Sequence, residues 1–364
     1  MSAFNGSNLR TLRLFRNKTL DDLAGPLGVS KQLVSRWEKN DSAPGYQHTN
    51  ALAKELGVNS SYFENVNIKR LEEYQFHFRK LRTTRVKTKD HVIALGEIFR
   101  QLAEFLDAHL ELPEYDFPTI ECSSDADIER AAEFCRRHWA LGLGPIENVT
   151  RVAENAGALV TDFTGVGKEI DALSIATQRP IIVRNSAKES PGRLRFDLSH
   201  EIGHFVMHEG RLTGDKFTEG QANRFASAFL LPRSTFINEF PVSNRINWRR
   251  ISEIKQTFKV SKAAILYRAK QLDLLSDQQY TGAIIRLKKH EGRNERDDYL
   301  IEPMEQPELI HNALQTMKDH MGLSVQVIEE KLGFTDESFP IVLGRKYRTL
   351  PAKYRGDPKI VSLF

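Results

Sequence analysis

The chain has only two cysteines in 364 residues, Cys122 and Cys135, too few for a disulfide framework. That scarcity makes a reducing compartment, the cytoplasm, the expectation, with both thiols read as buried apolar side chains. No run approaches the roughly 18–20 uninterrupted apolar residues of a membrane-spanning helix, so no membrane partner is expected. The first six residues lack the basic-then-apolar layout of a secretion signal. Internal repeats and low-complexity tracts are missing too, which excludes solenoid and fibrous architectures. A large excess of one charge is also absent: 52 Lys and Arg stand against 48 Asp and Glu, a net +4. What remains, 40% hydrophobic and 27% charged residues, is ordinary globular composition, and the length suggests roughly two to three domains.

The charge is uneven. Residues 1–65 hold 8 Lys/Arg against 6 Asp/Glu, and residues 66–100 hold 9 against 4. The first hundred residues are therefore the place to look for a nucleic-acid partner, although a solvated Lys/Arg-rich helix surface reads the same way. Residues 5–65 read as short helices. Thr19 caps one carrying Leu20, Leu23, Ala24 and Leu27; Gly28 turns the chain; Ser30 caps the next, with Leu33, Val34 and Trp37 inside. Gly57 closes a fourth helix. From about 68 to 110 the apolar spacing reads as long helix, broken by Pro113 and Pro118. Short strands are expected at 159–163, 172–177 and 180–183. Helices are expected at 125–141, 191–209, 219–231, 247–258 and 261–272, and a helical tail from 308. The fold class is mainly α with a small β-sheet (α+β).

The strongest chemical signal is His200-Glu201-Ile202-Gly203-His204. Residues four apart share one helix face, so two imidazoles can bind one Zn²⁺ while Glu201 reaches a water beside it. Chance supplies such a spacing about 0.04 times in a chain of this composition. A catalytic zinc needs a third protein ligand. Position 210 is glycine, which excludes a third histidine six residues on, and Glu209 lies about 140° round the helix from His204. Asp215 sits in a glycine-flanked loop. Glu219 stands better, because Ala222 and Ala226 share its face and would carry it inward, although a helix N-terminus also favours a carboxylate. His208, about 40° from His204, reads either as a support behind the ligands or as a donor to a tetrahedral intermediate. A carboxylate behind the zinc histidines is expected, with Asp197 and Asp171 as candidates.

Residues 19–39 fit a helix–turn–helix whose second helix enters the major groove. Lys31, Gln32, Ser35 and Arg36 lie opposite its core face, and Gln and Arg read adenine and guanine edges bidentately. A small protein-binding helical module would show a similar polar face.

Leu20–Leu56 resembles the XRE (Cro/phage-repressor-like) helix–turn–helix family, through Leu23-Ala24, Val29-Ser30, Ser35-Arg36-Trp37-Glu38 and the run from Leu52 to Gly57. Residues 145–232 resemble the ImmA/IrrE (DUF955) metallopeptidases. The markers are Gly144-Pro145-Ile146, Ile170 to Ser174, Arg195 to Ser199 leading into His200-Glu201, and Glu219 through Asn223 to Pro232. The resemblance, with Phe78 to Leu81 and Trp248 to Arg268, covers most of 5–275. It implies a zincin-like domain with His200, His204 and Glu219 as ligands of one Zn²⁺ per chain and Glu201 as the catalytic glutamate, a gluzincin-like set. Gln221 departs from the pattern, standing where an acidic residue is common. The family implies a protein substrate, a helix–turn–helix repressor cut to relieve repression in stress responses or mobile elements.

The organisation expected is a DNA-binding domain at 5–65, a basic helical connector at 66–118, a metallopeptidase domain at 119–275 and a C-terminal region, 276–364, of unknown role. The leading expectation is a DNA-binding regulator that is also a zinc endopeptidase, with an operator in double-stranded DNA and a homodimer reading paired half-sites. Two others stand beside it: a regulator whose peptidase-like domain senses a ligand or partner without proteolysis, and an antitoxin-like protein that sequesters a partner through 276–364.

Overall fold

The computed structural model describes residues 4–64, 71, 73–78, 86–162, 172–185, 190–241, 245–291, 295–301 and 303–343. The chain is α+β, as its patterning indicates: sixteen α-helices and one four-stranded sheet among the described residues.

The N-terminal helices are α1 (Gly6–Phe15), α2 (Leu20–Leu27), α3 (Lys31–Glu38) and α4 (Tyr46–Leu56). Their ends follow from local chemistry. Thr19 Oγ1 accepts the Asp22 amide while the Asp22 carboxylate accepts the Thr19 amide, a reciprocal cap on α2. Gly28, at φ +65°, turns the chain through the left-handed region that side chains resist, and Ser30 caps α3. Leu9, Leu12, Phe15, Leu23, Val34, Trp37, Leu52 and Leu56 fill the space between these helices.

The connector departs from the expectation of continuous helix from 68. Phe76–Phe78 is a strand, β1, and among the described residues the helix α5 is Val86–Asp107. The remaining strands are β2 (Leu159–Asp162), β3 (Ala172–Ile175) and β4 (Ile181–Arg184). The sheet order is β1-β3-β4-β2, with β2 and β4 parallel and the other pairs antiparallel. Alternation along the strands splits the sheet into two faces. The row Phe76, Ile175, Ile181, Leu159 joins one apolar cluster with α1 to α5 and the C-terminal helices. The opposite row, His77, Ser174, Ile182, Val160, lies in register on the other face. Val160 and Ile182 there join a second cluster with α6 (Asp125–His138), α8 (Pro191–Met207), α9 (Lys216–Leu230), α11 (Trp248–Phe258) and α12 (Lys262–Gln271).

The chain after residue 276 belongs to both halves. The Glu305 carboxylate accepts the amides of Val149 and Thr150 at the start of α7 (Val149–Asn155) and pairs with Arg195 on α8. Asn59 donates to the Gly333 carbonyl, and Thr335 donates its amide to that of Gly57, tying the C-terminal helices to the end of α4. Residues 344–364 lie outside the described residues.

Candidate metal centre and DNA-facing helix

α8 carries the histidine pair and α9 lies against it. The contact is close because Gly203 has no side chain: a Cβ there would sit 2.9 Å from Phe225 Cδ1 of α9. This approach brings Glu219 to the histidines. His200 Nε2 and His204 Nε2 are 3.0 Å apart, Glu219 Oε2 is 3.2 Å from His200 Nε2, and Glu219 Oε1 is 3.4 Å from His204 Nε2. Donors tetrahedrally arranged at zinc distances stand about 3.3 Å apart. His200, His204 and Glu219 are thus a donor set that fits one zinc ion, and they form the one such cluster of His, Cys, Asp and Glu among the described residues.

The histidine tautomers follow from a chain of hydrogen bonds. Gln221 Nε2 donates to the Cys122 carbonyl, which leaves Gln221 Oε1 as the acceptor from His208 Nε2 at 2.9 Å. His208 Nδ1 is then an acceptor, and takes its hydrogen bond from His204 Nδ1 at 2.9 Å. His204 Nε2 is left with its lone pair facing Glu219 and His200, the form that binds a metal. On the other ring, His200 Nδ1 donates to Asn223 Oδ1 at 3.1 Å, again freeing Nε2. Burial favours the same neutral state: it pulls His204 down to about 3. Burial works against ionised Glu219, but its close contacts with His200 and His204 outweigh it and hold its carboxyl below the usual range.

Glu201, only 2% exposed, is held by the Ser174 hydroxyl of β3. Beside it, on β1, His77 lies parallel to His204 with ring centroids 5.1 Å apart, and its Nδ1 meets Thr213 Oγ1 at 2.9 Å. His77 is fully buried, its Nε2 has no hydrogen-bond partner among the described residues, and burial keeps it neutral. His77, Ser174 and Thr213 come to the site from outside the two helices. The sequence signal for the first two is alternation, which sends alternate residues of β1 and β3 to one face.

The remaining candidates fall as follows. His208 sits behind His204, bonded to its far ring nitrogen, as a support for the ring. Asp215 caps α9, accepting the Phe217 and Thr218 amides, so that α9 starts at Lys216, earlier than expected, and Glu219 lies in its first turn. Glu209 accepts from Thr119. Asp197 is buried on α8; the Asn223 amide bonds behind His200 and His208 behind His204. Asp171 lies outside the described residues. Cys122 is half-buried, Cys135 buried, and both are free thiols.

On α3, Lys31, Gln32 and Arg36 are exposed and Ser35 is half-buried, while Val34 and Trp37 face inward. Arg36 follows from that spacing, next to the buried Trp37. Glu38, at the helix end, pairs with Arg13 of α1 and locks α3 against its neighbour.

A helix–turn–helix bundle and a sheet-backed helix pair presenting two histidines and a glutamate describe a regulator of the DNA-binding class with a peptidase-like domain. Comparison with known families agrees: residues 9–63 match the helix-turn-helix family, and residues 153–270 match the IrrE N-terminal-like domain, a peptidase family. The chain joins these two domains. No curated protein matches it. No helix among the described residues is long and apolar enough to cross a membrane.

Proposed function

We propose that the protein is a DNA-binding transcriptional regulator and a zinc-dependent endopeptidase, which cuts a helix–turn–helix repressor in the cytoplasm to relieve repression under stress or in a mobile element. The convergence of His200, His204 and Glu219 with Glu201 alongside is the observation that carries this reading. Residues 5–65 hold the operator, 66–118 connect, 119–275 cut, and 276–364 brace the two. His200, His204 and Glu219 would hold one zinc per chain, which would supply Lewis-acid chemistry, lowering the pKa of a water towards about 7 and polarising the scissile carbonyl. Glu201 takes the proton of the attacking water on its carboxylate and delivers it to the leaving amine. Ser174 orients that carboxylate, and Asn223 and His208 hold the two rings. Lys31, Gln32, Ser35 and Arg36 face the major groove, and a homodimer places two such helices on paired half-sites.

The test is Glu201→Gln, which keeps the three donors. Candidate repressors co-expressed with the wild-type chain are cleaved, and those co-expressed with the variant stay intact. Equal cleavage by both would end the endopeptidase reading. A second reading, a regulator that senses a ligand or partner without proteolysis, draws on the 2% exposure of Glu201. It requires operator repression to be the same in wild type and Glu201→Gln, with no cleavage by either.

A further inference from the structure

The candidate site is mostly buried, with the Glu219 side chain 12% exposed. Besides Glu201, His200 is 1% exposed and His204 fully buried. A peptide cannot reach the Glu201 carboxylate without displacing something, and among the described residues the strand lying along the outer edge of β3 is β1. Three residues of β1 pair with β3, Phe76 with Ile175, His77 with Ser174 and Phe78 with Leu173, and the Ala176 amide extends the ladder by donating to the Gln75 carbonyl at 2.7 Å. Ser174 is the residue that holds Glu201. Adjacent strands lie about 4.8 Å apart, so whatever backbone stands opposite Ser174 lies beside the candidate catalytic glutamate. In this structure that backbone is the chain's own residue 77, with its imidazole laid against His204.

We infer that the outer edge of β3 is the docking edge for an extended peptide, and that β1 is a self-supplied occupant that must leave before a substrate enters. The inference rests on the endopeptidase reading for the identity of the incoming chain, but its geometry does not. Three features favour displacement of β1 over any movement of β3 or β4. Among the described residues it is three residues long and paired on one side only, whereas β3 is held on both sides. The described hydrogen bond of the His77 side chain is the single one to Thr213, with Nε2 unpaired. And β1 lies in the connector, outside the residues that match the IrrE N-terminal-like family. The occupant expected in its place adds as an antiparallel strand, with backbone hydrogen bonds supplying affinity and alternate side chains supplying selection. The pattern of β1 shows the selection: an apolar residue opposite Ile175, turned into the core beneath α5 where Phe76 stands, followed by a residue small or flat enough to lie between His204 and Thr213. Phe76 shares its apolar cluster with α1 to α5, so the position of the DNA-binding half bears directly on whether the edge is covered.

The test uses a fluorescent peptide with the sequence of residues 73–80 and the full zinc-supplemented chain carrying Glu201→Gln, so that binding is read without turnover. In this parent the tethered strand competes at an effective concentration on the order of millimolar, and the peptide binds weakly. Phe76→Ser with His77→Gly weakens the resident strand, and peptide affinity should rise at least tenfold, with zinc content unchanged. In a second variant, Gln75→Cys and Ala176→Cys are introduced with Cys122→Ala, leaving buried Cys135 in place. Oxidation to the disulfide should then lower peptide binding at least tenfold relative to the reduced protein. Equal affinity in the released variant and the parent, or in the oxidised and reduced forms, overturns the inference. If the released variant loses zinc, the disulfide pair decides alone. Peptide binding that responds as expected while repressors stay uncut by chains retaining Glu201 supports the covered edge and counts against the endopeptidase reading.

Discussion

Gln221 ends a relay that begins at the ring of His204. Its amide has a donor end and an acceptor end, and the Cys122 carbonyl takes the donor, so the acceptor must face His208. That single orientation sets the proton on His208 Nε2 and, one bond further, on His204 Nδ1. Gln221→Leu removes the anchor and frees both rings to adopt the wrong tautomer. Zinc affinity should fall about 10–100-fold, the usual cost of losing an outer partner of a metal-binding histidine. Gln221→Glu keeps an acceptor for His208 and should stay within a few-fold of wild type. Glu219→Ala removes a donor outright and should leave the purified protein with little zinc, against about one per chain expected for wild type. Competition against a chromogenic chelator measures all three, and a Gln221→Leu affinity equal to wild type would break the relay argument. The cluster was legible in the sequence: His200 and His204 from spacing four apart, Glu201 from its place between them, and Glu219 from its helix face and from resemblance. The relay was not. Asn223 and Gln221 stand on α9 and reach across to α8, and nothing in the local sequence says which histidine nitrogen they meet. The described partners of the two ring N–H groups are an amide oxygen and a second imidazole, which accept from a ring N–H as a carboxylate does.

Whole elements were read with uneven success. The helices of the first domain follow from caps that act within three residues, Thr19 with Asp22 and Ser30 with Leu33, and local causes are visible locally. α3 is the clearest case, because Val34 and Trp37 fix its buried face and so fix the outward face carrying Lys31, Gln32 and Arg36. Arg36→Ala should cost about 1–3 kcal/mol of operator binding at one base position and relax preference there, whereas Lys31→Ala should weaken binding to all sequences alike. Binding to a panel of operators with single-base changes separates the two; an unchanged profile for Arg36→Ala removes that residue from the reading face. β1 shows the opposite situation. Its three residues sit in a basic stretch whose apolar spacing suits a helix, and only pairing with β3, some hundred residues away, makes it a strand. Long-range pairing of so short a segment leaves no periodicity to detect.

At the scale of the molecule, the C-terminal region is the piece the sequence left without a role, and beside its apolar contacts it makes buried polar ones that no pattern announces. Glu154, at the end of α7, is 4% exposed, and its carboxylate accepts the amides of Glu308 and Leu309 at the start of α14 (Leu309–Met321). Burial, opposed by those amides and by Arg184, pushes the carboxyl up to about 8. The unfolded chain releases the same proton near the ordinary value of about 4.3. The folded state therefore binds the extra proton between those limits, and stability from this group is fully present below about pH 4 and is lost as pH rises through 8. The decline approaches at most about 1.4 kcal/mol per pH unit. Glu154→Gln keeps an acceptor oxygen for the two amides and cannot ionise. Thermal unfolding of the two proteins from pH 5 to pH 9 should diverge, with the wild type losing stability as pH rises and the variant changing less, so that the variant gains relative to wild type at the alkaline end. Parallel curves would mean that Glu154 is ionised in the folded protein at neutral pH. The joint would then be held by a charge-assisted pair of hydrogen bonds, and α14 would dock on the peptidase-like half through a fixed negative charge.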